Sequence, residues 1–224
     1  MLRDAVTRFL SEWKHVSIGA HWQEVLQCDG SRHGPRVPRC YRGKNWMNVS
    51  LVDFMACKSN LAFNRQTRML ANLSLSDCYR KKSNLSLEQR DEIMLASAKY
   101  NLAKFFRFFG LQENEFESAR LFEATFPGIK FKQEAFMQNV TTAQRALDSL
   151  TDFERKKILR LNHLDVRLLQ FARALFLERL KRVKIGVDPD KAQKRMTKDH
   201  DNIQDLSVKE KLGAQMSTFK YIIA

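Results

Sequence analysis

The 224-residue chain holds no run of eighteen apolar residues, so it contains no candidate membrane-spanning helix. It has no Cys-x-x-Cys pair and no histidine cluster at zinc-ligand spacing, and no metal site is expected. Glycine is scarce: the eight are Gly19, Gly30, Gly34, Gly43, Gly110, Gly128, Gly186 and Gly213. None falls in a Gly-x-x-x-x-Gly-Lys or Lys-Thr-Gly-Gly turn, the kind of loop whose backbone amides cradle a phosphate. Zinc fingers, ribonucleoprotein motifs and helix-turn-helix patterns are missing too, so nucleic acid is not the expected partner. Acidic residues are few: 25 Asp and Glu against 39 Lys and Arg give a net charge of +14. A surface of that sign favours a polyanion, and charge alone does not say which.

The four cysteines, Cys28, Cys40, Cys57 and Cys78, all lie in the first third of the chain. An even, clustered set fits two disulfides and an oxidising compartment. Three pairings are possible; Cys28–Cys40 with Cys57–Cys78 is the simplest, short-range closure. Asn-x-Ser sequons begin at Asn48, Asn72 and Asn84 and lean the same way. Yet the charged pair Arg3-Asp4 comes just after Met1-Leu2, with no secretory presequence. A luminal protein without a means of entry reads as an incomplete chain.

Residues 4–16 predict a helix, with Val6, Phe9, Leu10 and Trp13 on one side. Gly and Pro concentrate in 27–46, which reads as a long loop. Ser50-x-x-Asp53 opens a short helix, and Ser86-x-x-Gln89 opens a longer one to about Lys104. Phe105–Leu111 reads as a buried strand, 113–126 as a helix and Ile129–Phe136 as a second strand, an order that predicts an α/β sheet with parallel strands. Thr151-x-x-Glu154 opens one helix running to about Val183. Residues 1–183 thus form one domain. The charged stretch 184–215 reads as a linker or frayed helix, and the apolar 216–224 as a docking segment.

The opening stretch Leu2-Arg-Asp-Ala-Val-Thr-Arg-Phe-Leu-Ser-Glu-Trp-Lys-His15 carries the most chemistry. Arg3 supplies a planar fork of donors, Ser11 a hydroxyl, and the helix start a positive dipole end, together suited to a dianionic phosphate. The segment resembles the 3′-phosphate-binding segment of sulfotransferases that use 3′-phosphoadenylyl sulfate. Its wording is closest to the heparan-sulfate 6-O-sulfotransferases. Further matching stretches are Cys28-Asp-Gly30, Cys40-Tyr-x-Gly43, Asn64-Arg-Gln-x-Arg-Met-Leu70, Phe108-Phe-Gly-Leu111, Phe136-Met-Gln138 and Leu164-Asp-x-x-Leu168.

The resemblance implies the α/β sulfotransferase fold, similar to P-loop kinases, and transfer of a sulfuryl group to the 6-hydroxyl of glucosamine in heparan sulfate. It implies a Golgi lumenal, type II membrane-anchored setting. It makes Arg3 and Ser11 the 3′-phosphate ligands. Met137, Gln138, Asn139, Ala143 and Gln144 match a second nucleotide-binding loop, although the family has Arg where Ala143 stands. His15 and Trp22 match acceptor-sugar contacts, and Trp22 also suits a partly buried aromatic. Arg65 and Arg68 suit uronate carboxylates or sulfates, or a plain solvated basic face. In the family the 5′-phosphosulfate loop, the first strand and the catalytic histidine precede the Leu-Arg-Asp segment. No catalytic base is therefore assigned here, and little or no activity is expected of the chain alone. The other reading is a non-catalytic heparan-sulfate-binding protein.

Overall fold

A computed structural model describes residues 1–20, 28, 38–78, 83–131 and 146–184. The charged 185–215 stretch and the 216–224 segment lie outside them. Helix α1, Ala5–Ser17, starts where Asp4 accepts hydrogen bonds from the N–H groups of Val6 and Thr7, both at 3.0 Å. Its first turn begins on Ala5. One face buries Val6, Phe9, Leu10 and Val16. Phe9 packs between Phe54 and Phe63, with ring centroids 5.1 and 5.9 Å away. Burying such a ring is worth about 2–3 kcal/mol, so this face anchors the helix. Trp13 fixes its far end by donating to the Val49 carbonyl at 2.9 Å.

Helix α2, Leu51–Ala56, begins on the Ser50 cap, and α3, Arg65–Leu70, follows. The sequons at Asn48, Asn72 and Asn84 are all exposed. Helix α4, Leu87–Lys104, carries the full Ser86/Gln89 capping box, and α5 spans Glu115–Thr125. Helices α6, Asp152–Leu161, and α7, His163–Lys184, occupy the stretch expected as one helix. The break falls at Asn162, whose fully buried side-chain oxygen is bonded from outside its own helix. Its Oδ1 accepts from the Asn64 N–H at 3.1 Å and from Arg8 Nη2 at 2.6 Å. The apolar stripe Ile158, Leu164, Leu168 and Leu175 continues across the break, which is why periodicity did not reveal it.

The expected strands fare differently. Phe105 and Phe106 are exposed, and Arg179 instead draws on this segment, donating to the Phe106 carbonyl at 2.8 Å and the Ala103 carbonyl at 3.0 Å. These bonds finish α4, satisfying carbonyls at its C-terminus. Among the described residues, extended backbone pairs at one place, a parallel bridge between Leu2 and Leu111. The Leu2 N–H donates to the Gly110 carbonyl at 2.7 Å, and the Gln112 N–H donates to the Leu2 carbonyl at 2.8 Å. Beyond the bridge, the Ser118 hydroxyl accepts from the Leu111 N–H at 2.9 Å and donates to its carbonyl at 3.1 Å. A Cβ on Gly110 would run into the Met1 Sδ and stand 3.0 Å from the Ser118 Cβ, so a larger residue would fit only if these side chains shift. Residues 129–131 are not a strand; the Phe131 N–H donates to Glu123 at 2.9 Å, and 132–136 fall outside the described residues.

The disulfides also depart from the short-range pairing. Cys28 joins Cys78, with 5.7 Å between Cα atoms, and Cys40 joins Cys57, at 5.8 Å, one bridge nested in the other. The end of α2 delivers Cys57 next to residues 38–40, where the Ser59 hydroxyl donates to the Pro38 carbonyl. Tertiary packing, rather than nearness in sequence, selects the partners.

Two apolar clusters result. One gathers Phe9, Leu10, Phe54, Met55 and Ile158; the other gathers Leu2, Leu95, Leu102, Leu111, Leu168 and Phe176. Arg3 lies at their seam, between Leu2 in one and Val6 in the other.

Candidate functional site

The polar side of α1 and the start of α3 line a cleft of about 490 Å³. Arg3, Ser11, His15 and Arg65 all open into it, together with Arg8, Glu12, Gln66 and Met69. Four residues singled out by sequence therefore share one space. The helix does this by burying its apolar stripe on the opposite side, which leaves Ser11, Glu12 and His15 facing outward.

Charge in the cleft is unevenly paired. Arg8 is held on all sides: Nη1 meets Glu12 at 2.7 Å, Nη2 donates to the Ala62 carbonyl at 2.6 Å, and Nε faces Asp165 at 3.3 Å. Burial pushes its pKa down while Asp165 and Glu12 push it back up. It is a structural cation. Arg65 shares Glu12, Nη1 to Oε1 at 3.1 Å, and stays over a third exposed. Arg3 is different. Its guanidinium makes one hydrogen bond among the described residues, Nε to the Thr7 hydroxyl at 3.2 Å, and no ion pair. Burial lowers its pKa, which marks a cation stripped of part of its hydration and ready to gain from an anion. The Ser11 hydroxyl and the His15 ring make no hydrogen bond among the described residues, and both line the cleft.

A half-buried guanidinium whose terminal nitrogens make no hydrogen bond among the described residues, sharing a cleft with the Ser11 hydroxyl, fits a phosphate or sulfate group. Arg68 does not join them. Although three residues from Arg65, it turns toward the loop before α3 and donates to the Leu61 carbonyl. Trp22, Met137, Gln138, Asn139, Ala143 and Gln144 lie outside the described residues. No group of three or more His, Cys, Asp or Glu is placed to hold a metal among the described residues.

Sequence reasoning passed over Gln66, which grips the backbone of Arg3 from both sides. Its Oε1 accepts from the Arg3 N–H at 2.8 Å and its Nε2 donates to the Arg3 carbonyl at 2.9 Å. Asp165, wholly buried, orients α3 in turn, accepting from the N–H groups of Gln66 at 3.2 Å and Thr67 at 2.8 Å. An acidic residue inside an apolar helical stripe was the available signal for Asp165.

A family model described as "Sulfotransferase family" matches residues 1–172. A heparan-sulfate 6-O-sulfotransferase 3-B of Danio rerio is 49% identical over 181 residues, covering 80% of this chain and 42% of its own. A heparan-sulfate 6-O-sulfotransferase 3 of Homo sapiens is 45% identical over 80% of this chain and 37% of its own. A heparan-sulfate 6-O-sulfotransferase 1 of Homo sapiens is 44% identical over 80% and 43%. The chain spans about two-fifths of the length of these relatives. With its first 172 residues matched, this chain belongs to the sulfotransferase family.

Proposed function

We propose that this chain supplies the 3′-phosphate-binding and acceptor-binding side of a heparan-sulfate 6-O-sulfotransferase. The reaction moves a sulfuryl group from 3′-phosphoadenylyl sulfate to the 6-hydroxyl of glucosamine. The observation that carries this is the cleft shared by the Arg3 guanidinium, the Ser11 hydroxyl, His15 and Arg65, with the Arg3 terminal nitrogens unbonded among the described residues. Arg3 and Ser11 would hold the 3′-phosphate. His15 offers a ring nitrogen to a sugar, and Arg65 can trade its exposed Glu12 contact for a carboxylate or sulfate on the glycan. The net charge of +14 suits a long polyanion passing over the surface.

The parallel sense of the Leu2–Leu111 bridge supports the parallel sheet of the α/β sulfotransferase fold. The paired cysteines and exposed sequons support a Golgi lumenal setting. Sulfuryl transfer also needs donors around the 5′-phosphosulfate and a base for the attacking hydroxyl. The 224 residues contain no glycine-rich loop of that kind. Incubating the purified chain with 3′-phosphoadenylyl sulfate and desulfated heparin should therefore give heparin retention and nucleotide binding without turnover. Robust sulfate transfer by the chain alone would overturn this division of labour, and retention on heparin with no nucleotide binding would favour a plain glycan-binding protein.

A further inference from the structure

We infer that Gln66 is the positioning residue for Arg3, fixing its backbone so that the guanidinium reaches the nucleotide's 3′-phosphate. The inference rests on the reading of Arg3 just given. Among the described residues, residues 1–3 pair with extended backbone through Leu2 alone, and past that bridge the Arg3 backbone groups have no strand partner. The Gln66 carboxamide takes the place of a neighbouring strand there, accepting at 2.8 Å and donating at 2.9 Å. A primary amide carries a donor and an acceptor and can do both at once. Its own backbone is held by Asp165, which also faces Arg8, so the amide stands on a rigid base. Arg3 meanwhile has a single side-chain hydrogen bond among the described residues, to Thr7. Its aim into the cleft is thus set largely by its backbone, and Gln66 sets that backbone. A residue acting this way affects the 3′-phosphate and leaves the rest of the nucleotide alone.

The test is the affinity of the 224-residue chain for adenosine 3′,5′-bisphosphate against adenosine 5′-phosphate, followed by NMR titration, which reads millimolar binding. The native chain should prefer the bisphosphate by roughly tenfold or more, the worth of a charged hydrogen bond. In Gln66→Met, which keeps the length and loses both polar atoms, that preference should fall to about twofold with 5′-phosphate affinity unchanged. Gln66→Glu, which keeps the accepting half of the clamp and opposes a carboxylate to the Arg3 carbonyl, should lose it as well. Preference retained in both variants overturns the inference and leaves the role of Arg3 standing, as does an equal loss of affinity for both nucleotides. Absence of any preference in the native chain would instead remove the 3′-phosphate reading itself.

Discussion

Asn64 and Asn162 brace each other across 98 residues of sequence. The Asn64 N–H donates to the Asn162 Oδ1 at 3.1 Å, and the Leu164 N–H donates to the Asn64 Oδ1 at 3.0 Å. The pair joins the start of α3, and with it the floor of the cleft, to the joint between α6 and α7. Asn64 adopts a positive φ of 49° to make the contact, a conformation asparagine tolerates better than most residues.

Replacing Asn162 should therefore cost stability out of proportion to its size. Asn162→Ala leaves the buried Arg8 Nη2 with one acceptor fewer, the Asn64 N–H unpaired and the Ile158 carbonyl without its 2.9 Å donor. A loss of about 3 kcal/mol is expected, read as a lowered midpoint in urea unfolding. Asn162→Asp, which keeps the accepting oxygen, should lose less.

The three cleft arginines should separate by function. Arg3→Ala is expected to weaken adenosine 3′,5′-bisphosphate binding at least about tenfold, and Ser11→Ala about threefold. Arg65→Ala should leave the nucleotide within twofold and lower the salt concentration at which heparin elutes. Arg8→Ala should unfold the site altogether, since Glu12 and Asp165 would lose their shared cation. Isothermal titration with melting curves distinguishes these outcomes.

Nested disulfides predict a specific peptide map. Digestion without reduction should link the Cys28 peptide to that of Cys78, and the Cys40 peptide to that of Cys57. Removing Cys40–Cys57, with a sequence separation of 17, should cost about 3 kcal/mol, and removing the wider Cys28–Cys78 bridge somewhat more.

Acid should loosen the start of α6 through Glu154. Hydrogen bonds from the Thr151 N–H at 3.0 Å and its hydroxyl at 2.8 Å hold this carboxyl below its ordinary value of 4.5. A depressed folded-state pKa means stabilisation that is complete above the ordinary value and lost as pH falls through the folded one. Glu154→Gln preserves the capping box and should flatten that part of the acid dependence, measured as the difference in melting temperature between pH 7 and pH 3.

Local signals were read well from the sequence where they are local in cause. Ser50, Ser86 and Thr151 each cap the helix their spacing announces, because the bonds run three residues along the chain. The face of α1 was legible for the same reason. What escaped depends on distant partners. The break at Asn162 answers to Asn64 and Arg8, the disulfides answer to packing, and the apolar run Phe105–Leu111 mixes exposed Phe105 with buried Phe109 as Arg179 closes α4. Arg68 diverged from Arg65 because a short helix turns each toward different neighbours. Gln66 had no signature, since its value lies in two backbone groups 63 residues away.

The most direct measurement is a crystal structure of the chain with adenosine 3′,5′-bisphosphate bound. The account predicts the 3′-phosphate oxygens within hydrogen-bond reach of the Arg3 guanidinium and the Ser11 hydroxyl, with Arg3 still clasped by Gln66. A nucleotide seated elsewhere, with Arg3 left on Thr7 and Ser11 facing solvent, would contradict it.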